Sequence, residues 1–145
     1  MLKEGQVLWI RGRVNNHPGD YLQERHPYII IEIDSKVQLI EVVLRDSIDE
    51  DGNKLFKAYL QQNKFISHEG ETVFNKDGFA QLDTTIHIEM GDYLEDYRLT
   101  EDCLSQGQLT DLKREYTKYH LQNIIFDNKT ILMTKSEIIS HNKGA

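Results

Sequence analysis

The chain has 145 residues, of which 39% are hydrophobic and 28% are charged, and its formal net charge is −7 at pH 7. This length and composition indicate one folded domain, residues 1–145, that can bury a core without disulfides, and they exclude a disordered or fibrous chain. The net negative charge argues against a protein that coats nucleic acid in bulk.

The sequence also carries information about the cellular compartment. Cys103 is the only cysteine, and the first residues contain neither an apolar signal core nor a cleavage site. The longest apolar runs, YIII and NIIF, are much shorter than the roughly 20 residues that a membrane-spanning helix needs. We therefore expect a cytoplasmic protein with no membrane segment.

Short runs rich in β-branched and aromatic residues predict strands in the first third of the chain. They are QVLWIR at 6–11, YIIIEID at 28–34 and VQLIEVVL at 37–44. Only Ser35 and Lys36 separate the last two runs, which predicts a tight antiparallel hairpin.

Two turn signals follow, at Asp51-Gly52 and in NKDG at 75–78. Around them, the runs KLFKAYL, ETVF and FAQLDTTIHIE supply further strand material. In the last run, the even positions from 82 to 88 are apolar or threonine and the odd positions are polar or threonine, which predicts a strand with one buried face.

The periodicity then changes from two to 3.6. Ser105 with Gln108 matches a capping box, and a stripe of leucines and tyrosines predicts a helix that ends near residue 122. After Asp127-Asn128, the run TILMTKSEIIS fits either a strand or a short helix. Strands first and a helix last predict an α+β, mainly β fold, a small barrel of antiparallel strands with a C-terminal helix. The stripe consists of Leu109, Leu112, Tyr116 and Tyr119.

Several common chemistries have no motif in this chain. The phosphate-binding patterns GxGxxG and GxxxxGK[ST] and the nucleophile elbow GxSxG do not occur, which argues against nucleotide hydrolysis and serine-hydrolase activity. The six histidines do not pair at metal-ligand spacing. We expect neither a cofactor nor a metal.

The charge is unevenly distributed. Residues 1–64 hold nine Lys and Arg against ten Asp and Glu, whereas residues 65–145 hold eight against fourteen. An anionic ligand should therefore prefer the first half. The best local candidate for phosphate contact is the loop 11–26, whose cationic or titratable side chains are Arg11, Arg13, His17, Arg25 and His26.

The order of these patterns resembles the MazF/PemK toxins of type II toxin–antitoxin systems. The resemblance rests on KEGQVLWIRGRV, on ERHPYIIIEID after a long polar loop, on VQLIEVV, and on KDGFAQLDTTIHIE followed by RLTED and a helix. It covers about residues 3–120 and leaves residues 121–145 as a C-terminal extension.

The resemblance implies an SH3-like barrel, a homodimer, and cleavage of single-stranded RNA without a metal. It also implies neutralisation by an antitoxin protein that lays a C-terminal segment into a groove of the dimer. The family's catalytic Arg-Pro arginine maps to His26, with Arg25 one residue earlier. Its second position, a Thr or Ser near the end of the following strand, maps to Leu44, and Ser47 is the nearest hydroxyl. Both positions depart from the family pattern.

The residues themselves give a reason for the Arg25-His26 pair. Pro27 disfavours helix at His26, so both side chains lie at the mouth of an extended strand, where alternation points them in opposite directions. Cleavage of RNA requires proton transfer, for which histidine is suited, and stabilisation of phosphorane charge, for which arginine is suited. We expect Arg25, His26 and Ser47 to be catalytic; the alternative is that the first two are solvated residues at the start of a strand.

RNA contacts are expected nearby. Arginines could bind phosphates, and Tyr21 could stack an unpaired base, as could Trp9, although a tryptophan inside a strand favours core packing. The expected RNA-binding residues are Arg11, Arg13, His17, Tyr21 and Arg45.

Two other functions remain open. One is a catalytically inactive SH3-like barrel that binds a protein or peptide partner of a mobile element, and the other is the gyrase-poisoning branch of the same fold. A homodimer should form through strand edges or through the apolar stripe of the helix.

Overall fold

The computed structural model describes residues 1–49 and 54–143, and over these residues the fold is α+β and mainly β. Short 3-10 helices span Leu55–Tyr59, Asp92–Tyr97 and Asp127–Lys129. The strands are β1 (Gln6–Ile10), β2 (His26–Asp34), β3 (Leu39–Ser47), β4 (Asn63–Ile66), β5 (Gly78–Gln81), β6 (Thr85–Glu89), β7 (Arg98–Cys103) and β8 (Thr130–Met133); the α-helices are α1 (Gln106–Gln122) and α2 (Lys135–His141).

The strands form one sheet in the order β4-β5-β3-β2-β1-β7, and the edge of β3 that faces away from β2 pairs with two different strands. Leu39 to Val42 pair with β6, whereas Arg45 to Ser47 pair with β5. These pairs are antiparallel, but β8 joins β6 in parallel. Among the described residues β4 and β7 do not pair with each other, so the sheet is open.

Four local expectations differ from the structure. The run FAQLDTTIHIE is divided between β5 and β6, because the chain bends at residues 82–84. The β2–β3 loop has four residues rather than two, and Gln38 closes it with a positive φ of 57°. The run KLFKAYL forms the 3-10 helix Leu55–Tyr59, because only Ala58 of it meets the core. ETVF does not form a strand; it belongs to a loop, from which the side chains of Val73 and Phe74 reach the core. The predicted turn at Asp51-Gly52 lies outside the described residues.

β2 is buried on both faces of the sheet, which explains its unbroken apolar run. Tyr28, Ile29 and Ile30 have no exposed surface. Ile29 packs in a cluster with α1, whereas Tyr28 and Ile30 pack with β6, β8 and α2 on the opposite face. Gly12 lies against the Tyr28 ring so closely that a Cβ there would overlap the hydroxyl.

The helical stripe belongs to the core of this chain. Leu109, Leu112 and Tyr116 are at most 8% exposed and pack in the cluster that covers one face of β2. The stripe is therefore not available for a dimer interface. Of the two interfaces expected for a homodimer, the one through strand edges remains.

The C-terminal extension is also part of the core. Ile131, Met133 and Ile138 pack against the face of β2 opposite α1. The run TILMTKSEIIS is both a strand and a helix, and Thr134 with Glu137 forms a capping box at their junction.

The predicted cap of α1 is confirmed in part. Ser105 Oγ accepts from the Gln108 backbone N–H, but the Gln108 side chain donates to Ser67 O and to Glu71 instead of returning to Ser105. Glu71 accepts hydrogen bonds from both Ser105 N and Ser105 Oγ. It thus satisfies the Ser105 backbone N–H, which the Gln108 side chain would satisfy in a complete capping box. Neither α-helix of the described chain is long and apolar enough to cross a membrane.

A titratable cluster joins α1 to the sheet. Glu41 accepts a hydrogen bond from the Tyr116 hydroxyl and lies 3.4 Å from His87 Nε2, and the His120 ring packs against Tyr116 with ring planes tilted by 33°. Burial raises the pKa of Glu41, but bonds from His87 and Tyr116 outweigh it, so the pKa lies below that of an ordinary glutamate. The bond to Glu41 raises the pKa of His87.

This pair predicts a pH-dependent part of the stability. Glu41, with its lowered pKa, stabilises the fold above the pKa of an unfolded glutamate and loses that contribution as pH falls. His87, with its raised pKa, stabilises below the pKa of an unfolded histidine and loses that contribution as pH rises through its folded value. The loss of melting temperature in His87→Ala should therefore be largest at about pH 5–6.5 and shrink towards pH 9.

Thermal unfolding followed by circular dichroism between pH 4 and 9 measures this difference. His17→Ala is the control for the loss of a histidine, because His17 is exposed in a loop outside this cluster. A constant difference for His87→Ala would contradict the expectation.

Candidate functional site

A cleft of about 560 Å³ opens where β2 begins and β3 ends. These two points meet because the strands are antiparallel, with Tyr28 opposite Leu44. The end of β1 adds a third wall, since Trp9 lies opposite Pro27. The segment 73–76 closes the remaining side.

The cleft brings together four of the predicted site residues. Arg25 and His26 line it from the start of β2, and Arg45 and Ser47 line it from the end of β3. All three expected catalytic residues are therefore in one place. Arg45, expected as an RNA contact, joins them.

Arg45 is a buried cation. It is 3% exposed, its guanidinium carbon lies 3.7 Å from the centre of the Phe74 ring, and it donates to Lys76 O. Gly78 makes room for it, because a Cβ there would stand 2.6 Å from Arg45 Cζ. Its Nε has no hydrogen-bond partner among the described residues. Burial lowers the pKa of Arg45 to about 10, which still leaves it charged at neutral pH.

The backbone fixes the tautomer of His26. Nδ1 lies 3.1 Å from Glu24 O, and a carbonyl oxygen only accepts hydrogen bonds, so Nδ1 carries the proton in the neutral ring. The lone pair is then on Nε2. Such a ring can act as a general base through Nε2.

Arg25 is tied to the C-terminal segment. Its NH2 group donates to Asn142 O at 3.0 Å, and its Nε has no partner among the described residues. Asn142 is 3% exposed and also bonds both Arg11 N and Arg11 O through its side-chain amide. Arg25 thus lines the cleft while its guanidinium is bonded to the C-terminal segment.

The cleft is cationic although the chain is acidic. Of the described residues that line it, four are Lys or Arg and two are Asp or Glu, and one of the carboxylates, Asp46, is 3.2 Å from Lys54 Nζ. A local excess of positive charge favours an anionic ligand. The cations are Arg25, Arg45, Lys54 and Lys76, and the carboxylates are Glu24 and Asp46.

One wall of the cleft is apolar. Trp9 is 38% exposed and lines the cleft with Pro27 and Leu99, so its expected role in core packing is only partly correct. Val7, two residues earlier, shares its face of β1 and is fully buried. The side chains that shield this face of β1 from solvent thus end between Val7 and Trp9.

The other expected RNA contacts lie elsewhere. Arg13 Nε is 2.6 Å from Glu137 Oε2, and the Tyr21 hydroxyl donates to the same carboxylate. Tyr21 also stacks on His141 with ring centres 3.5 Å apart. Both side chains are engaged with α2. None of the four residues Arg11, Arg13, His17 and Tyr21 lines the cleft.

Sequence reasoning missed Lys54, Phe74 and Lys76. Lys54 and Phe74 lie in KLFKAYL and ETVF, which the sequence predicts as strand material, and Lys76 lies in the turn signal NKDG, so the sequence connects none of them with β3. The register of Ser47 with Gly78 brings that turn to the end of β3.

Among residues 1–49 and 54–143, no three His, Cys, Asp or Glu side chains cluster closely enough to hold a metal ion. No protein-family model matches the chain, and no curated protein is significantly similar to it. The assignment of a function therefore rests on the residues and geometry of the cleft.

A buried arginine with an unpartnered Nε should be dispensable for folding. Arg45→Met keeps most of the volume and removes the charge, so the free energy of unfolding should stay within about 1 kcal/mol of wild type or rise. Arg45→Ala should lose roughly 2 kcal/mol or more, because it leaves a cavity against Phe74. Urea denaturation measures both. An equal loss in the two variants would mean that the fold itself needs the guanidinium.

Proposed function

We propose that this protein is a metal-independent endoribonuclease of the MazF/PemK type that cleaves single-stranded RNA in the cleft. One observation carries the proposal: His26, Arg25, Arg45 and Ser47 converge in a cationic cleft of an acidic chain. Trp9 supplies an apolar face on which an unpaired base can stack.

The chemistry assigns a role to each group. His26 Nε2 takes the proton of the ribose 2′-hydroxyl, the 2′-oxygen bonds to the adjacent phosphorus, and the bond from phosphorus to the 5′-oxygen breaks. The products are a 2′,3′-cyclic phosphate and a 5′-hydroxyl, whose proton comes from solvent through the open cleft. Arg25 and Arg45 stabilise the additional negative charge on the phosphorane, and the Ser47 hydroxyl orients a phosphate oxygen.

An SH3-like barrel is the architecture that goes with this proposal. The division of β3 between β5 and β6 supports it, because a strand that changes partner along its length curves the sheet. The proposal further implies a cytoplasmic homodimer that an antitoxin protein neutralises.

A partner-binding function is the second candidate. Four large apolar side chains between residues 121 and 132 are at least half exposed, which is typical of an interaction surface. If RNA is not cut, a binding module with this surface becomes the better interpretation. The side chains are Leu121, Ile124, Phe126 and Leu132.

Cleavage of a labelled single-stranded RNA pool in EDTA by partner-free protein tests the enzymatic proposal. His26→Ala should reduce the rate by about two to four orders of magnitude, and it should abolish a rise in rate across the pH range where histidines lose their proton. His17→Ala is the matched control and should cut as wild type does, since His17 lies outside the cleft.

Arg25→Ala should also reduce the rate strongly but should leave the pH profile in place, because a guanidinium does not titrate there. If wild-type protein leaves the RNA pool intact, or if His26→Ala cuts it at the wild-type rate, the proposal is wrong.

A further inference from the structure

A second surface begins where the cleft ends, at Lys54. This side chain lines the cleft and stands directly before the 3-10 helix Leu55–Tyr59. We propose that this helix continues the RNA-binding path, so that single-stranded RNA leaving the cleft stacks its bases on Phe56 and Tyr59. The inference rests on the function proposed above and names a part of the substrate that the cleft does not hold.

The geometry of a 3-10 helix sorts these side chains into faces. With three residues per turn, side chains at i and i+3 lie one above the other. Ala58 is 2% exposed and marks the face that packs on the core with Ile48 and Phe79. Phe56 and Tyr59 share a second face.

The third face carries charge. Lys54 and Lys57 are three residues apart, so they share the face next to the one that carries the two aromatic rings. We call Phe56, Lys57 and Tyr59 the aromatic–lysine surface. Bases can stack on its rings while the phosphates between them meet the lysines.

The two rings are unusually open to solvent. Phe56 is 63% exposed and Tyr59 is 71% exposed. The Tyr59 ring is nevertheless held in place, because it stacks on Phe65 with centres 5.9 Å apart and planes 11° from parallel. A ring that is fixed from one side and open on the other loses little further freedom when a base stacks on it.

Charge favours a nucleic acid over a protein as the occupant. Residues 54–66 contain three lysines and no Asp or Glu, in a chain whose net charge is −7. Lysine is depleted in protein–protein interfaces, whereas lysines beside aromatic rings are the typical lining of a path for single-stranded nucleic acid. Lys57 and Lys64 make no ion pair among the described residues, and Lys54 pairs with Asp46.

Binding of non-cleavable RNA separates this surface from the cleft. Fluorescein-labelled, random-sequence 2′-O-methyl oligonucleotides of 4 and 16 nucleotides lack the 2′-hydroxyl that cleavage needs, and anisotropy measures their affinity for wild-type protein. Phe56→Ala/Tyr59→Ala should bind the 16-mer about tenfold or more weakly than wild type and should bind the 4-mer equally well, because each lost stack costs an appreciable fraction of the binding free energy.

Lys57→Ala supplies an independent measurement. On the 16-mer, the slope of log affinity against log salt should become shallower by about 0.7, as expected for one phosphate contact on a single strand. Val37→Ala is the control: Val37 is 59% exposed in the β2–β3 loop and lies outside this surface and the cleft, so both affinities should remain those of wild type. Urea denaturation of each variant confirms that the fold is intact.

The outcomes distinguish this inference from the proposed function. If wild-type protein cuts RNA in the cleft but Phe56→Ala/Tyr59→Ala binds the 16-mer as tightly as wild type, the RNA path is wrong and the enzyme stands. A change in self-association without a change in 16-mer affinity would assign the surface to a protein contact and would overturn the inference. If no oligonucleotide binds and no RNA is cut, both proposals fail.

Discussion

The burial of β2 on both faces is the constraint on which the structure depends. A strand whose neighbouring residues Tyr28 and Ile29 are both inaccessible to water needs one layer of structure above the sheet and another below it. α1 supplies the first layer, and β6, β8 and α2 supply the second. The elements that follow β3 in the chain thus supply the two layers that cover β2.

The same constraint explains where the cleft lies. Cover on the α1 face of the sheet ends before Trp9 and Pro27, so polar side chains can reach the start of β2 without entering the core. Pro27 limits His26 to extended backbone and thereby aligns it with the strand. The site thus lies where the sheet is no longer packed on both faces.

Electrostatics give the cleft its character. An acidic chain that buries Arg45 against Phe74, with Nε left unpartnered among the described residues, keeps a charge that a hydrophobic side chain could replace at little cost in stability. Asp46 and Asp77 partly offset the loss of hydration, since both favour the charged guanidinium. Arrangements of this kind are typical of sites that keep a charge for a ligand.

The sequence predicted those parts of the fold that depend on local pattern. The alternating burial at 82–88 follows from periodicity and is confirmed, although the strand begins only at Thr85; the Ser105 cap follows from hydrogen-bonding chemistry and is confirmed in part. The 3-10 helix Leu55–Tyr59 was not foreseen, because a run of seven residues fits a strand and a short helix equally well. Of the candidate site, Arg25, His26 and Ser47 line one cleft, whereas their roles and the resemblance to MazF/PemK stay predictions.

The pairing of Arg13 and Tyr21 with Glu137 could not be read from the sequence, because more than 100 residues separate the partners. The same distance has a consequence for synthesis. Arg25 is held by a carbonyl 117 positions further along, so on a ribosome the loop 11–25 stays without its anchor until residue 142 has left the exit tunnel. In the nascent chain, the bond that holds Arg25 therefore forms only after all strands of the sheet have been synthesised.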